Sequence, residues 1–456
     1  MIYKEYNNIT QVDSSLIFVE GLEAPKYNEV VKIFSNLGSL EGQIIDASSN
    51  ISVIQVFGNM LGLDPKSVRI LPKGKPYSIK LNEELIGRIF NGRFYPIDNG
   101  PSIIKGEEYD INGYPINPYA RETPNSFVET GISVIDGLIT LAKGQKLPLF
   151  SGSGLPHNKI AVQISCQAKV SDNTLIVFGA MGVNSDEARF LINEFRERGL
   201  LRKTVSFINL ASDPSIERIL LPRIALTTAE YLAYEKGYDV IVILTDITNY
   251  CETLREISSA KKEIPGRRGY PGYMYTDLAS IFERSGVLKG KKGSITQIPI
   301  LTMPQDDITH PIPDLTGYVT EGQITLSRRL HKLGIYPPID ILSSISRMMN
   351  NAIGKGKTRE DHSSLSSQLF ASYSEYIEVS RLMELVGEGA LSEDDLSLIR
   401  FGRKFEKEFI NQGFNERRGI ENTLNKGWEV LSEIKPERLT RLKQEFINKY
   451  GKWSKE

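Results

Sequence analysis

Between residues 147 and 301 short apolar runs recur at strand length, each followed by a stretch of helical period. The runs are Leu147–Phe150, Leu175–Phe178, Val205–Asn209, Val240–Leu244 and Ile295–Leu301. Mostly apolar runs this short suit strands buried on both faces, and strands alternating with helices predict a mostly parallel sheet covered on both sides. One intervening helix is well punctuated. Ser185 stands as its cap, Ala188, Leu191, Ile192 and Phe195 share one face, and Gly199 stops it. Another is predicted from Asp213-Pro214 to about Lys236, with Gly237 as its stop and a kink at Pro222. Sheets of this kind bind ligands at the carboxyl ends of their strands.

The first of these strands leads into LPLFSGSGLPHNKIAVQI, Leu147 to Ile164. A strand, a Gly-rich turn and a helix start is the layout of a phosphate-binding loop, in which backbone N–H groups face an anion. The pattern GxxxxGK[ST] is nevertheless broken. Its positions fall on Ser151, Gly152, Ser153, Gly154, Leu155, Pro156, His157 and Asn158. Pro156 has no N–H to offer. His157, with an ordinary pKa of about 6.5, cannot replace a lysine cation at neutral pH. Asn158 offers an amide where a hydroxyl would meet Mg²⁺. A Gly-rich turn before a helix is more often only a turn, so spacing alone leaves both readings open.

With 456 residues, 24% charged and 40% hydrophobic, the chain has material for about three globular domains. A net charge of −1 gives no basic field for nucleic acid or an anionic membrane. Cys166 and Cys251 lie far apart and outside any metal-ligand spacing, which excludes a disulfide framework and favours a reducing cytoplasm. The opening MIYKEYNNIT has no apolar core of a signal peptide, and the longest apolar runs are too short to span a bilayer. Any membrane contact is therefore expected through partners.

From Tyr3 to about Leu71, strand-like segments at Ser15–Gly21, Val30–Phe34, Gly42–Ala47 and Ile51–Gly58 are bounded by turn residues and predict a small β-barrel. A Pro/Gly-rich crossover follows. Past Lys355 the strand signals stop, and Ser364–Val386, Ser392–Gln412, Ile420–Ile434 and Pro436–Tyr450 read as helices of a terminal bundle. The predicted division is 1–75, 76–353 and 354–456.

Several residues are candidates for chemistry. Asp246 ends the strand VIVILTD, where a nucleotide-binding sheet places a carboxylate that meets Mg²⁺ through water. A helix cap is the commoner role for such an Asp. Glu187 reads as a first-turn acid stabilised by the helix dipole rather than a catalytic base. The loop Pro265, Gly266, Arg267, Arg268, Gly269, Tyr270, Pro271 and Gly272 reads as a solvated connector, a stiff surface for a moving partner, or, less readily, a phosphate or RNA site. Arg347, after PPIDILSSIS, is either an ordinary exposed arginine or a finger reaching a neighbour's phosphate. His157, His310, His331 and His362 show no metal-ligand pattern, so no metal is expected and satisfied or surface roles are.

SGSGLPHN, TDITNYCETLREIS (Thr245–Ser258), PGRRGYPGYMYTDLA (Pro265–Ala279) and PPIDILSSISR (Pro337–Arg347) together resemble the B subunit of V/A-type rotary ATPases over essentially the whole chain. The resemblance implies an N-terminal β-barrel, a central RecA-like α/β domain with a degenerate phosphate loop, and a C-terminal helical bundle. It also implies a ring in which this chain alternates with a catalytic A chain around a rotor, joined through central and peripheral stalks to an ion-translocating membrane part. The complex would couple ATP synthesis or hydrolysis to H⁺ or Na⁺ transport on the cytoplasmic side. No tightly bound cofactor is implied for this chain. Mg-ATP or ADP would sit at the A/B interface, where Arg347 is the implied arginine finger, and Pro265–Gly272 would face the rotor. Ser343 stands where the family commonly has proline, which predicts a looser turn before Arg347. The alternatives are a scaffold without catalytic contribution and a self-sufficient hexameric motor ATPase; single-strand nucleic-acid binding is remote.

Overall fold

The computed structural model describes residues 4–453 except positions 14, 37, 48, 49, 170 and 172. The outermost residues of the predicted terminal domains, 1–3 and 454–456, lie outside the described residues. Six antiparallel strands come first: β1 (Ile9–Asp13), β2 (Leu16–Glu20), β3 (Glu29–Ser35), β4 (Gly38–Ala47), β5 (Ile51–Val56) and β6 (Arg69–Pro76). Their order is β1-β2-β5-β4-β3-β6. Tyr6, ahead of β1, exchanges backbone hydrogen bonds of 2.9 and 2.8 Å with Ile70 in β6, joining the two edges into a barrel. Ile17, Val31, Ile33, Ile44, Ile54 and Ile70 fill it. The sequence does not mark β1 and β6, because ITQVD and RILPKGKP are half polar and lie half exposed.

The central sheet is assembled from β7 (Ile89–Asn91), β8 (Leu149–Gly152), β9 (Thr174–Val183), β10 (Thr204–Leu210), β11 (Asp239–Thr245), β12 (Ser294–Met303), β13 (Gly322–Leu326) and β14 (Ile339–Ser346). Its order is β14-β13-β8-β12-β11-β9-β10-β7. All these neighbours are parallel except β13 and β14. The five predicted strands are present, and β11 is buried along its whole length, as an apolar run between two helical layers requires.

Helices α1 (His157–Gln167), α2 (Ser185–Glu197), α3 (Ser215–Glu230), α4 (Ile247–Ala260), α5 (Met274–Phe282) and α6 (Pro311–Val319) complete this domain. The cap of α2 is Asn184, not Ser185. Its side chain accepts from the Glu187 N–H while Glu187 reaches back to the Asn184 N–H, closing a capping box that Ser185 could not form because the residue three after it is Ala188. The α3 assignment runs through Pro222, which is buried, and passes into a π turn at Tyr231–Glu235. Packing of an apolar helix outweighs the single bond that proline removes.

The C-terminal part is helical: α7 (His362–Val386), α8 (Glu393–Lys404), α9 (Ile420–Leu431) and α10 (Gln444–Tyr450). α8 continues into a π turn at Phe405–Ile410. The predicted Pro436–Tyr450 helix is instead a short turn, Pro436–Arg438, followed by α10. Between them the Arg441 N–H is diverted to the Gln368 side chain at 3.0 Å, so it cannot serve a helix. The bundle shares one core with one face of the central sheet, and Gln412 bridges the two through Ser133 N (2.9 Å) and the Gly131 carbonyl (2.6 Å).

Candidate functional site

The Gly-rich loop follows β8 and opens α1, at the carboxyl ends of β8, β11 and β12. Two of its amides are committed within the loop. The Leu155 N–H donates to the Gly152 carbonyl (3.1 Å), the His157 N–H donates to the Leu155 carbonyl (2.9 Å), and Pro156 has none. The His157 ring is held against Ser151 Oγ through Nδ1 at 3.1 Å. Asn158 sits between Glu187 Oε1 and Thr245 Oγ1, at 3.4 and 3.5 Å. Ser153 and Gly154 are exposed at the tip.

Two residues without a sequence signal close the mouth of this loop. Arg328, after β13, forms a two-pronged pair with Asp306, after β12, at 2.6 and 2.9 Å, and donates to the Ser153 carbonyl at 3.0 Å. The guanidinium holds the Asp306 carboxyl below its usual range. A Cβ on Gly152 would lie 2.1 Å from Asp306 Oδ1, so only glycine admits the pair so close to the strand end. The two residues lie 22 positions apart in sequence, and only the side-by-side arrangement of β12, β8 and β13 brings them together.

Asp246 lies beside the loop at the end of β11 and is 8% exposed. Its Oδ1 accepts from Thr248 N (2.7 Å), capping α4, and from Thr302 N (3.1 Å). Asn158 offers an amide where a hydroxyl would ligate Mg²⁺, so the donor set does not fit a resident Mg²⁺. Among the described residues no cluster of His, Cys, Asp and Glu could hold a metal. Glu187 is engaged in the capping box.

The 265–272 loop is exposed except for Tyr270 and Pro271. Arg267 pairs with Asp314 (2.7 Å) and the Thr309 carbonyl, and Arg268 pairs with Asp307 (2.8 Å). Their charges are therefore answered within the chain, which leaves little for a phosphate or RNA. The buried Tyr270 anchors the loop by a hydrogen bond to Glu252 and an edge contact with the His310 ring at 5.5 Å. Arg267, Arg268 and Tyr270 thus tie the loop to the rest of the chain.

Arg347 lies elsewhere. β14 is antiparallel to β13, with Ser346 opposite Gly322, so its end lies at the amino-terminal edge of the parallel strands. The offset along the strand direction from there to the Gly-rich loop is that from Lys146, ahead of β8, to Gly152, roughly 20 Å at about 3.3 Å per residue. Arg347 is exposed. Its N–H donates to the Glu321 carbonyl (3.0 Å) and its guanidinium to the Thr320 carbonyl (3.2 Å). Among the described residues it forms no ion pair. The segment before it is not a loose turn. It is a bulged strand in which the Ser343 carbonyl accepts from Gln323 (3.1 Å) and Thr325 (3.3 Å), and Ser344 Oγ bridges Thr325 N and the Asp340 carbonyl.

Comparison with known proteins adds an independent finding. The ATP synthase alpha/beta family, nucleotide-binding domain, matches residues 131–346, and the C-terminal domain of V and A type ATP synthase matches residues 351–451. Among solved structures, the ATP synthase subunit NeqB from Nanoarcheaum equitans is 42% identical, with a TM-score of 0.75, over 92% of this chain and 99% of that one.

Proposed function

The chain belongs to the V/A-type ATP synthase alpha/beta family, and from that premise we propose that it is the non-catalytic B subunit, alternating in a ring with a catalytic A subunit and lending Arg347 to the ATP site between them. The observation that carries this reading is the separation of parts within one chain. Two amides of the phosphate loop are spent on the loop itself and Pro156 offers none, while an exposed arginine that forms no ion pair among the described residues stands roughly 20 Å away, where it cannot serve that loop. In this reading the arginine serves a neighbour's phosphate. Its planar fork would stabilise charge on the transferring phosphoryl group, an effect of about 10³–10⁵ in rate in other phosphoryl-transfer systems. Mg-ATP would then be held by the A subunit. The ion-paired 265–272 loop would face the rotor, with the stalk subunits as further partners. Among the described residues no helix is long and apolar enough to cross a membrane. As a ring subunit the chain would sit peripherally, on the cytoplasmic side, and H⁺ or Na⁺ would be chosen by another subunit.

The test is ATP hydrolysis by the purified chain alone and with its cognate catalytic subunit, wild type against Arg347→Ala. Silence alone, activity in the mixture and collapse with Arg347→Ala support the reading. Full activity with Arg347→Ala would make the chain a scaffold, and hydrolysis by the chain alone would make it a self-sufficient motor.

A further inference from the structure

Resting on the reading of Arg347 above, we infer that Gln145 is a positioning residue for it, acting through the Glu321 carbonyl and Ser346. Both groups that hold Arg347 belong to one short segment, the carbonyls of Thr320 and Glu321. That segment is pinned from beneath by the two residues that lead into β8. Gln145 Nε2 donates to the Glu321 carbonyl at 2.9 Å, the same oxygen that receives the Arg347 N–H. It also donates to Ser346 Oγ at 3.0 Å, and that hydroxyl in turn donates to the Thr140 carbonyl at 2.7 Å. One buried amide thus grips the strand that presents the arginine and the segment that receives it.

Lys146 completes the grip. Its N–H donates to Glu321 Oε2 (2.8 Å), its carbonyl accepts the Glu321 N–H (3.1 Å), and its ammonium pairs with Glu321 Oε1 at 2.9 Å and Glu283 at 2.8 Å. Gln145 is fully buried and Lys146 is 2% exposed, so water does not compete for these bonds. Next in the chain, Gly322 has φ +136°, and a Cβ there would lie 2.1 Å from the Ile345 carbonyl. Glycine is what lets the two segments approach within reach of Gln145. A side chain that must meet a phosphate across an interface needs such a base, because a displacement of about 1 Å can cost about 100-fold in rate.

The experiment uses the ring assembled with its catalytic subunit. Gln145→Leu is expected to lower kcat for ATP hydrolysis about tenfold with KM for ATP within about twofold, since the fork acts as charge develops and not on binding. In the Arg347→Ala background the same change is expected to alter kcat by less than about twofold, because nothing remains to be positioned. Ser346→Ala, which removes one side of the grip and keeps the core volume, is read in the same way and stands in should Gln145→Leu not assemble. Losses that multiply in the double variants mean general destabilisation and overturn the inference. So does full kcat in the single variants of a ring that Arg347→Ala inactivates. Full kcat in Arg347→Ala itself instead removes the reading on which the inference rests.

Discussion

Asp306→Asn should turn the closed Gly-rich loop into a weak anion site. In the wild type the Asp306 carboxylate takes two hydrogen bonds from Arg328 and places a negative charge against Gly152, at the mouth of the loop. An arriving phosphate meets repulsion and finds the guanidinium already engaged. Asparagine keeps the shape and tolerates the left-handed backbone of this position, φ 56°, but removes the charge and one strong acceptor. The pair is 41% and 42% exposed, so solvent screens it strongly and the expected gain in affinity is only about two- to fivefold. The assay is calorimetric titration of the isolated chain with Mg²⁺-free pyrophosphate at low salt, wild type against Asp306→Asn. The expected result is a gain in affinity of about two- to fivefold that fades as salt rises. Equal or weaker binding by the variant would refute the idea that the Asp306–Arg328 pair, rather than the missing lysine alone, closes the loop.

Two further outcomes follow from other parts of the chain. In the assembled ring Arg347→Lys should fail nearly as badly as Arg347→Ala in steady-state hydrolysis, because an ammonium is a point charge without the fork; full activity of the lysine variant would remove the geometric part of the reading. His362 is fully buried, with Nε2 on the Gly137 carbonyl and Nδ1 on Thr358 Oγ1, both at 3.0 Å, and burial pushes its pKa down to about 4. Below about pH 6.5 the unfolded state takes up a proton that the folded state refuses, so this stabilisation is present above pH 6.5 and lost as pH falls toward 4, about 3 kcal/mol in all. Urea midpoints measured across that range should fall less steeply in His362→Gln than in the wild type, and parallel slopes would count against the assignment.

What could be read from the residues follows from where the physics is local. The strand Val240–Leu244 lies buried between helices because its apolar run has no polar face to expose, and Gly199 stops α2 because it adopts φ 67°. The loss of the phosphate-loop chemistry was legible at Pro156, His157 and Asn158, since a missing N–H and a missing cation are properties of the residue itself. β1 and β6 were not legible, because half-exposed polar strands owe their place to pairing with neighbours rather than to their own pattern. The cap of α2 was misplaced by one residue because Asn184 and Ser185 are both good caps, and the three-residue reach to Glu187 chose between them.

The sequence by itself determined the layered α/β architecture, the helical terminus and the broken loop. Each depends on period, on turn residues or on the chemistry of single side chains. Only the tertiary structure decided that Arg328 and Asp306 close that loop, that Arg267 and Arg268 are answered by Asp314 and Asp307, and that Gln145 lies under Arg347. These partners lie 22, 47 and 39 residues apart, and for Gln145 and Glu321 176 apart. Contacts of that range are set by strand order and register, which no local pattern encodes.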